Sequence, residues 1–179
     1  MNRRNPPGSS PMLDGTASQP SSPSSSGMRW VIGQSILLAA VGIAAPVWAG
    51  EWPKWVSAGI GGVAFLFAAW TGLSGVVRLG RHRTPLPAPR SGSVLVTTGI
   101  YGLIRHPLYA AMMAMSLGWA FFWSSGIALA IGAALIGFLH AKARLEERLL
   151  GAKFESYPHY ASRVPRYIPR WSRSRGQKP

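Results

Sequence analysis

Cysteine is absent from this chain, which excludes a disulfide scaffold, thiolate metal sites and a cysteine nucleophile. Acids are scarce, 5 against 19 Lys and Arg, and the sole Asp, Asp14, sits near the N-terminus, so no Ser-His-Asp set is expected. Neither a GxGxxG following a strand pattern nor a P-loop occurs, which sets aside the soluble nucleotide-binding folds. The histidines, His82, His106, His140 and His159, have no partner at helical ligand spacing, so no metal site is expected.

The most informative absence is of charge itself. No Asp, Glu, Lys or Arg occurs between Arg29 and Glu51, between Lys54 and Arg78, or between Arg105 and Lys142, gaps of 21, 23 and 36 residues. Helices of a soluble protein alternate polar and apolar faces, so runs of this length point to an all-α integral membrane protein. The formal charge of +14 calls for an anionic partner, and with the charges confined to blocks that partner is a membrane surface, not a nucleic acid.

What remains divides into segments. Residues 5–27 hold eight Ser and five Pro with almost nothing apolar, so residues 1–29 are expected to be a disordered tail. The first apolar run begins near Trp30, behind a polar stretch too long for an ordinary signal-peptide n-region, and the first hydrophobic helix is therefore expected to be retained. Residues 30–170 are read as one membrane domain with about four spans, near 30–48, 55–77, 107–123 and 126–141. The 36-residue gap is too long for one span of about 20 residues, and Trp123-Ser124-Ser125-Gly126 splits it into a short helical hairpin. On its first arm Ala110, Ala114 and Gly118 recur every fourth residue; on the second, Ala128 with Gly132 and Ala133 with Gly137 do so. Small residues at this spacing let helix backbones approach closely in lipid. A C-terminal helical segment and a basic tail over residues 171–179 follow.

Four spans place 18 of the 19 basic residues on one side, with Lys54 opposite. The positive-inside rule then puts both termini in the cytoplasm.

Polar and aromatic groups gather in two places. The loop before the third span ends in SVLVTTGIYGLIRHPLY, residues 93–109, and the fourth span runs out into KARLEERLL, residues 142–150, followed by Phe154, Tyr157, Tyr160 and VPRYIP, residues 164–169. Pro107 suits a first helical turn, whose unpaired N–H groups can receive an anion. Glu146 and Glu147 permit two readings. One is helical ion pairing, Lys142 with Glu146 and Arg144 with Glu147, at about 0.2–0.5 kcal/mol each. The other is a carboxylate that binds a cation or holds the sugar hydroxyls of a cofactor.

Taken together, LVTTGIYGLIRHPLY, two short membrane helices, EERLL, the tyrosines and VPRYIP resemble the isoprenylcysteine carboxyl methyltransferase and phospholipid methyltransferase group over residues 93–169. The resemblance implies S-adenosylmethionine as cofactor, held without a Rossmann fold between the hairpin and the C-terminal segment. It implies cofactor contacts from Ser93, Val94, Leu95, Val96, Tyr101, His106, Pro107, Leu108, Tyr109 and Glu146, with Ser93 standing where eukaryotic carboxyl methyltransferases tend to have His. The substrate-facing basic position aligns with Lys142, or with Arg144 after a small shift. The acceptor would be a lipid-like or prenylated amphiphile bearing a carboxylate or an amine. A sulfonium methyl is already activated, so transfer needs in-line positioning and a dry pocket, without a metal or covalent nucleophile. An amine would need a base, for which His106 or Glu147 are candidates. The alternatives are a sterol-reductase-like enzyme using NADPH and a non-catalytic anchor with a basic tail.

Overall fold

Charge-free runs become helices here because a backbone without water must satisfy its own hydrogen bonds. The computed structural model describes residues 25–80 and 94–170, and every regular element among them is helical. The order is α1 (Ser25–Val47), α2 (Lys54–Leu79), a 3-10 turn (Gly99–Gly102), α3 (Pro107–Phe122), α4 (Gly126–Lys153) and α5 (Tyr157–Arg163). Three helices are long and apolar enough to cross a membrane: α1 from Gly27, α2 and α4; α3, with 16 residues, is apolar but shorter. This is a membrane protein. Residues 1–24 of the expected tail, Ser93 and residues 171–179 lie outside the described residues.

One helix boundary departs from expectation: α1 begins at Ser25, inside the segment read as tail. α4 continues twelve residues beyond the apolar stretch that ends at Ala141, to Lys153, as the helical spacing of Lys142 and Glu146 requires. Its charged turns stay helical beyond the apolar stretch because hydropathy limits where a helix meets lipid, not where its hydrogen bonds stop. The chain leaves α4 at Phe154, which is extended.

The α3–α4 turn is built as the hairpin reading requires. Ser124 takes the left-handed conformation (φ 55°), and Ser125 caps α4 by accepting from the Ala128 amide at 3.3 Å. The hydroxyl of Ser124 also meets Ser57 of α2 at 3.1 Å, tying the buried turn to a second helix.

α2 runs antiparallel to α3, with Gly61 against Gly118 at one end and Gly75 against Pro107 at the other. α1 runs antiparallel to α4: Gln34 meets Lys142, and ten residues on Ala44 and Ala45 share a core with Ala128 and with Ala120 of α3. The small residues of the hairpin therefore serve different partners. Gly118 admits α2 and not α4, Ala128 and Gly132 face inward, and Ala133 and Gly137 are exposed.

The Gly61–Gly118 crossing is tight enough to test. A Cβ at Gly61 would lie 3.0 Å from the Gly118 carbonyl oxygen, whereas one at Gly59 would meet nothing within 4 Å. Gly61→Leu is expected to force α2 away from α3 at a cost of about 1–3 kcal/mol. Thermal unfolding in detergent should show a lower Tm for Gly61→Leu and little change for Gly59→Leu.

Candidate functional site

At the end of the bundle where α3 begins, α4 carries its charges out of the apolar stretch. Pro107 opens α3 as its first residue, fixing φ without losing a needed N–H, and His106 precedes it as N-cap. The segment after α5 then docks on this start through its backbone: the Arg105 amide donates to the Pro165 carbonyl and the His106 amide to the Arg166 carbonyl, both at 2.9 Å. Proline cannot donate, but its carbonyl is a full acceptor, so Pro165 suits a strap that only accepts at that position.

Arg105 joins three elements. Its Nη1 donates to the Ala161 carbonyl and, at 2.9 Å, to that of Val164, closing the C-terminal end of α5; Nε and Nη2 donate to Glu147 at 3.2 and 3.0 Å. Arg166 grips the same carboxylate, with Nη2 2.7 Å from Oε2. His106 Nε2 lies 3.1 Å from Glu147 Oε1, and because a carboxylate only accepts, that nitrogen carries the hydrogen. Burial by itself would raise the Glu147 carboxyl, but hydrogen bonds from His106 and Arg166 and the charge of Arg105 outweigh it and hold the group well below the usual carboxylate range. The bond to Glu147 in turn raises the Arg166 guanidinium. Glu147 therefore does not act as the helical partner of Arg144, which is exposed.

Glu146, its neighbour, faces a different wall. The Tyr109 hydroxyl donates to Glu146 Oε2 at 2.9 Å, and His106 Nδ1 lies 3.8 Å from the same oxygen. His106 and Tyr109 stack, 3° from parallel with centroids 5.2 Å apart, and Tyr167 of the strap closes on His106 at 6.1 Å. Lys142, one turn before Glu146, is 2% exposed, and its Nζ lies 5.5 Å from the centre of the Tyr109 ring. The two glutamates differ in access: the Glu146 side chain is 29% exposed and that of Glu147 12%.

The surrounding tyrosines are held in place by packing. Tyr101 is buried with Ile100, Ile104 and Ala110, and its carbonyl accepts from the Tyr160 hydroxyl at 2.6 Å. Burial pushes the Tyr160 hydroxyl up to about 12 despite the nearby Arg105, and pushes Tyr167 up to about 12 as well. Both hydroxyls stay protonated at physiological pH.

The sequence-derived candidates thus separate. His106, Tyr109, Glu146 and Lys142 converge. Pro107 and Leu108 turn toward α2, where both lie against Gly75. Val94 is exposed, Leu95 half-buried, and Val96 packs on the Ile100–Tyr101 cluster. Arg144 points away from the cluster. Residues that sequence reasoning did not assign to the site are Arg105, Arg166, Tyr167 and Gln34; the arginines and Tyr167 stand inside RHP and VPRYIP, so the motifs located them without showing their partners, and Glu147, a candidate base in the sequence, is held by Arg105, His106 and Arg166. A cavity of about 300 Å³ lies on the outer side of this hub, lined by Arg105, Ala161, Ser162, Val164, Pro165, Arg166 and Arg170, and none of the expected cofactor contacts lines it.

Among the described residues no three His, Asp or Glu side chains gather to hold a metal ion. The donor set suits an organic cation with hydroxyls: a partly exposed carboxylate, Glu146, beside the stacked faces of His106 and Tyr109. A ribose diol and a sulfonium fit that chemistry.

The chain is 36% identical over 89 residues to the cobalt-zinc-cadmium resistance protein CzcN of Cupriavidus metallidurans, covering 49% of this chain and 41% of that protein. It is 35% identical over 89 residues to the nickel-cobalt-cadmium resistance protein NccN of Alcaligenes xylosoxydans xylosoxydans, covering 49% and 42%. The match thus spans about two fifths of these relatives. Residues 56–156, from α2 to the approach to α5, match the phospholipid methyltransferase family, and the chain belongs to that family of integral membrane methyltransferases.

Proposed function

We propose that this protein transfers a methyl group from S-adenosylmethionine to a carboxylate or amine of a membrane-associated amphiphile. The observation that carries the reading is the convergence of Tyr109, His106 and Glu146 where α3 begins and α4 becomes charged. S-adenosylmethionine supplies a methyl group already activated as a sulfonium. The chain's own work is then positional. Glu146 would receive the ribose hydroxyls, His106 and Tyr109 would offer aromatic faces to the cationic centre, and backbone near Val94, Leu95, Val96 and Tyr101 would flank the cofactor. Glu147 is engaged by two arginines and a histidine, so it keeps the strap closed and does not take up a proton. Lys142, buried beside Tyr109, would orient an anionic acceptor; Arg144 is too far around the helix to share this task. In this reading the hairpin of α3 and α4 crosses the bilayer, giving four spans with both termini and the site on the cytoplasmic side.

Ligand-dependent stability tests the reading. S-adenosylmethionine at a hundredfold excess over its Kd should stabilise the detergent-purified protein by about 2.7 kcal/mol, visible as a raised Tm. NADPH should leave Tm unchanged. Stabilisation by NADPH alone would favour a reductase, and a response to neither would favour an anchor.

A further inference from the structure

The family match begins at residue 56, so α1 lies outside it, yet α1 delivers a polar side chain to the buried cation of the site. Gln34 stands nine residues into α1, and its Oε1 accepts from Lys142 Nζ at 2.7 Å. Its Nε2 faces Met112 Sδ of α3 at 3.2 Å. The amide orientation follows from chemistry: an ammonium has hydrogens only to give, so the oxygen must face it. One side chain thereby bridges α1, α3 and α4 at the level of the Lys142 head group.

An ammonium at 2% exposure is costly to keep in place, and ionisable groups at membrane depth are retained for a task. The kind of partner matters. A carboxylate at position 34 would hold Lys142 equally well and cancel its charge. An amide holds it without adding a second negative charge to that of Glu146, which already acts on Lys142 from one turn away. Resting on the methyltransferase reading above, we propose that Gln34 is a positioning residue that fixes the Lys142 ammonium toward the acceptor and so makes the site select an anionic over a cationic head group. Tyr109 couples this layer to the other half of the site, since its ring faces Lys142 and its hydroxyl binds Glu146.

The test compares two amphiphiles with the same tail and opposite head groups, oleate and oleylamine, at equal mole fraction in a non-ionic detergent. Binding is read from thermal stabilisation of the full chain, and S-adenosylmethionine binding is measured on the same preparations. Wild type should prefer oleate by about tenfold, the worth of one hydrogen-bonded charge contact. Gln34→Met lets the ammonium turn to its other partners and should reduce the preference to about twofold or less. Gln34→Glu keeps shape and polarity but neutralises Lys142, and should level or invert the preference; it decides the matter if the Met variant does not fold. Both variants should bind S-adenosylmethionine as wild type does. An unchanged head-group preference in either folded variant, even with a lowered Tm, would reduce Gln34 to a packing residue and overturn the proposal. So would a wild-type protein that takes both amphiphiles equally. If wild type prefers oleate but ignores S-adenosylmethionine, the anionic site stands and the methyltransferase reading falls.

Discussion

Glu147→Gln should produce the largest loss of stability of any single substitution at the site. The carboxylate is 12% exposed and pairs with both Arg105, itself 10% exposed, and Arg166, while accepting from His106. Glutamine retains the volume but offers one neutral oxygen to three donors. Removing one member of a buried ion pair leaves the others uncompensated, at a cost of about 3–5 kcal/mol. The damage should spread along the strap, because Arg105 also closes α5 and the backbone bonds from Arg105 and His106 hold residues 165 and 166. Thermal unfolding in detergent and limited proteolysis after α4 both report it. A Tm near wild type would show that the strap is held by its backbone bonds alone. The same group sets an acid limit. Its folded pKa is depressed, so its contribution is fully present above the unfolded value of about 4.3 and is lost as pH falls below that toward the folded value. Wild type should therefore lose Tm on acidification below about pH 4, and Glu147→Gln, already without this contribution, should lose less.

The adjacent substitution is expected to do the reverse. Glu146→Gln keeps the hydrogen bond from Tyr109 and removes a charge that no arginine in the hub engages, so the fold should hold. What it should lose is S-adenosylmethionine affinity, by about tenfold or more if the carboxylate makes charge-assisted bonds to the ribose hydroxyls. Isothermal titration or ligand-dependent Tm measures this. Tyr109→Phe is a milder companion: it removes the hydroxyl that orients Glu146 but leaves the ring beside His106. Wild-type cofactor affinity in Glu146→Gln, with the protein folded, would return Glu146 to a surface carboxylate at the end of a membrane helix. The contrast between the two glutamates also separates stability from binding, since they are one residue apart on one helix and should fail in different assays.

Hydropathy and charge distribution are properties of short stretches, and they carried the reading of helices in membrane. The turn at Ser124 and Ser125, the helix start at Pro107 and the continuation of α4 past Ala141 were legible for the same reason: each depends on residues within one or two turns. So was the phase that sets Lys142 and Glu146 on one face of α4 and Arg144 on another, which follows from about 100° per residue. The motifs RHPLY and EERLL marked where chemistry would gather. What holds Glu147 and Lys142 was not legible. Glu147 is defined by Arg105, 42 residues away, and by Arg166, 19 residues away, and Lys142 by Gln34, 108 residues away. These pairings arise from how the strap lies across the start of α3 and how α1 lies along α4. Both are fixed by backbone bonds to carbonyls and by close approach at glycine and alanine, which leave no periodicity that would name the partner. Local sequence therefore determined the helices and the candidate residues. Only the tertiary packing divided the two glutamates into a buried one that holds the strap, Glu147, and a more accessible one, Glu146, beside Tyr109.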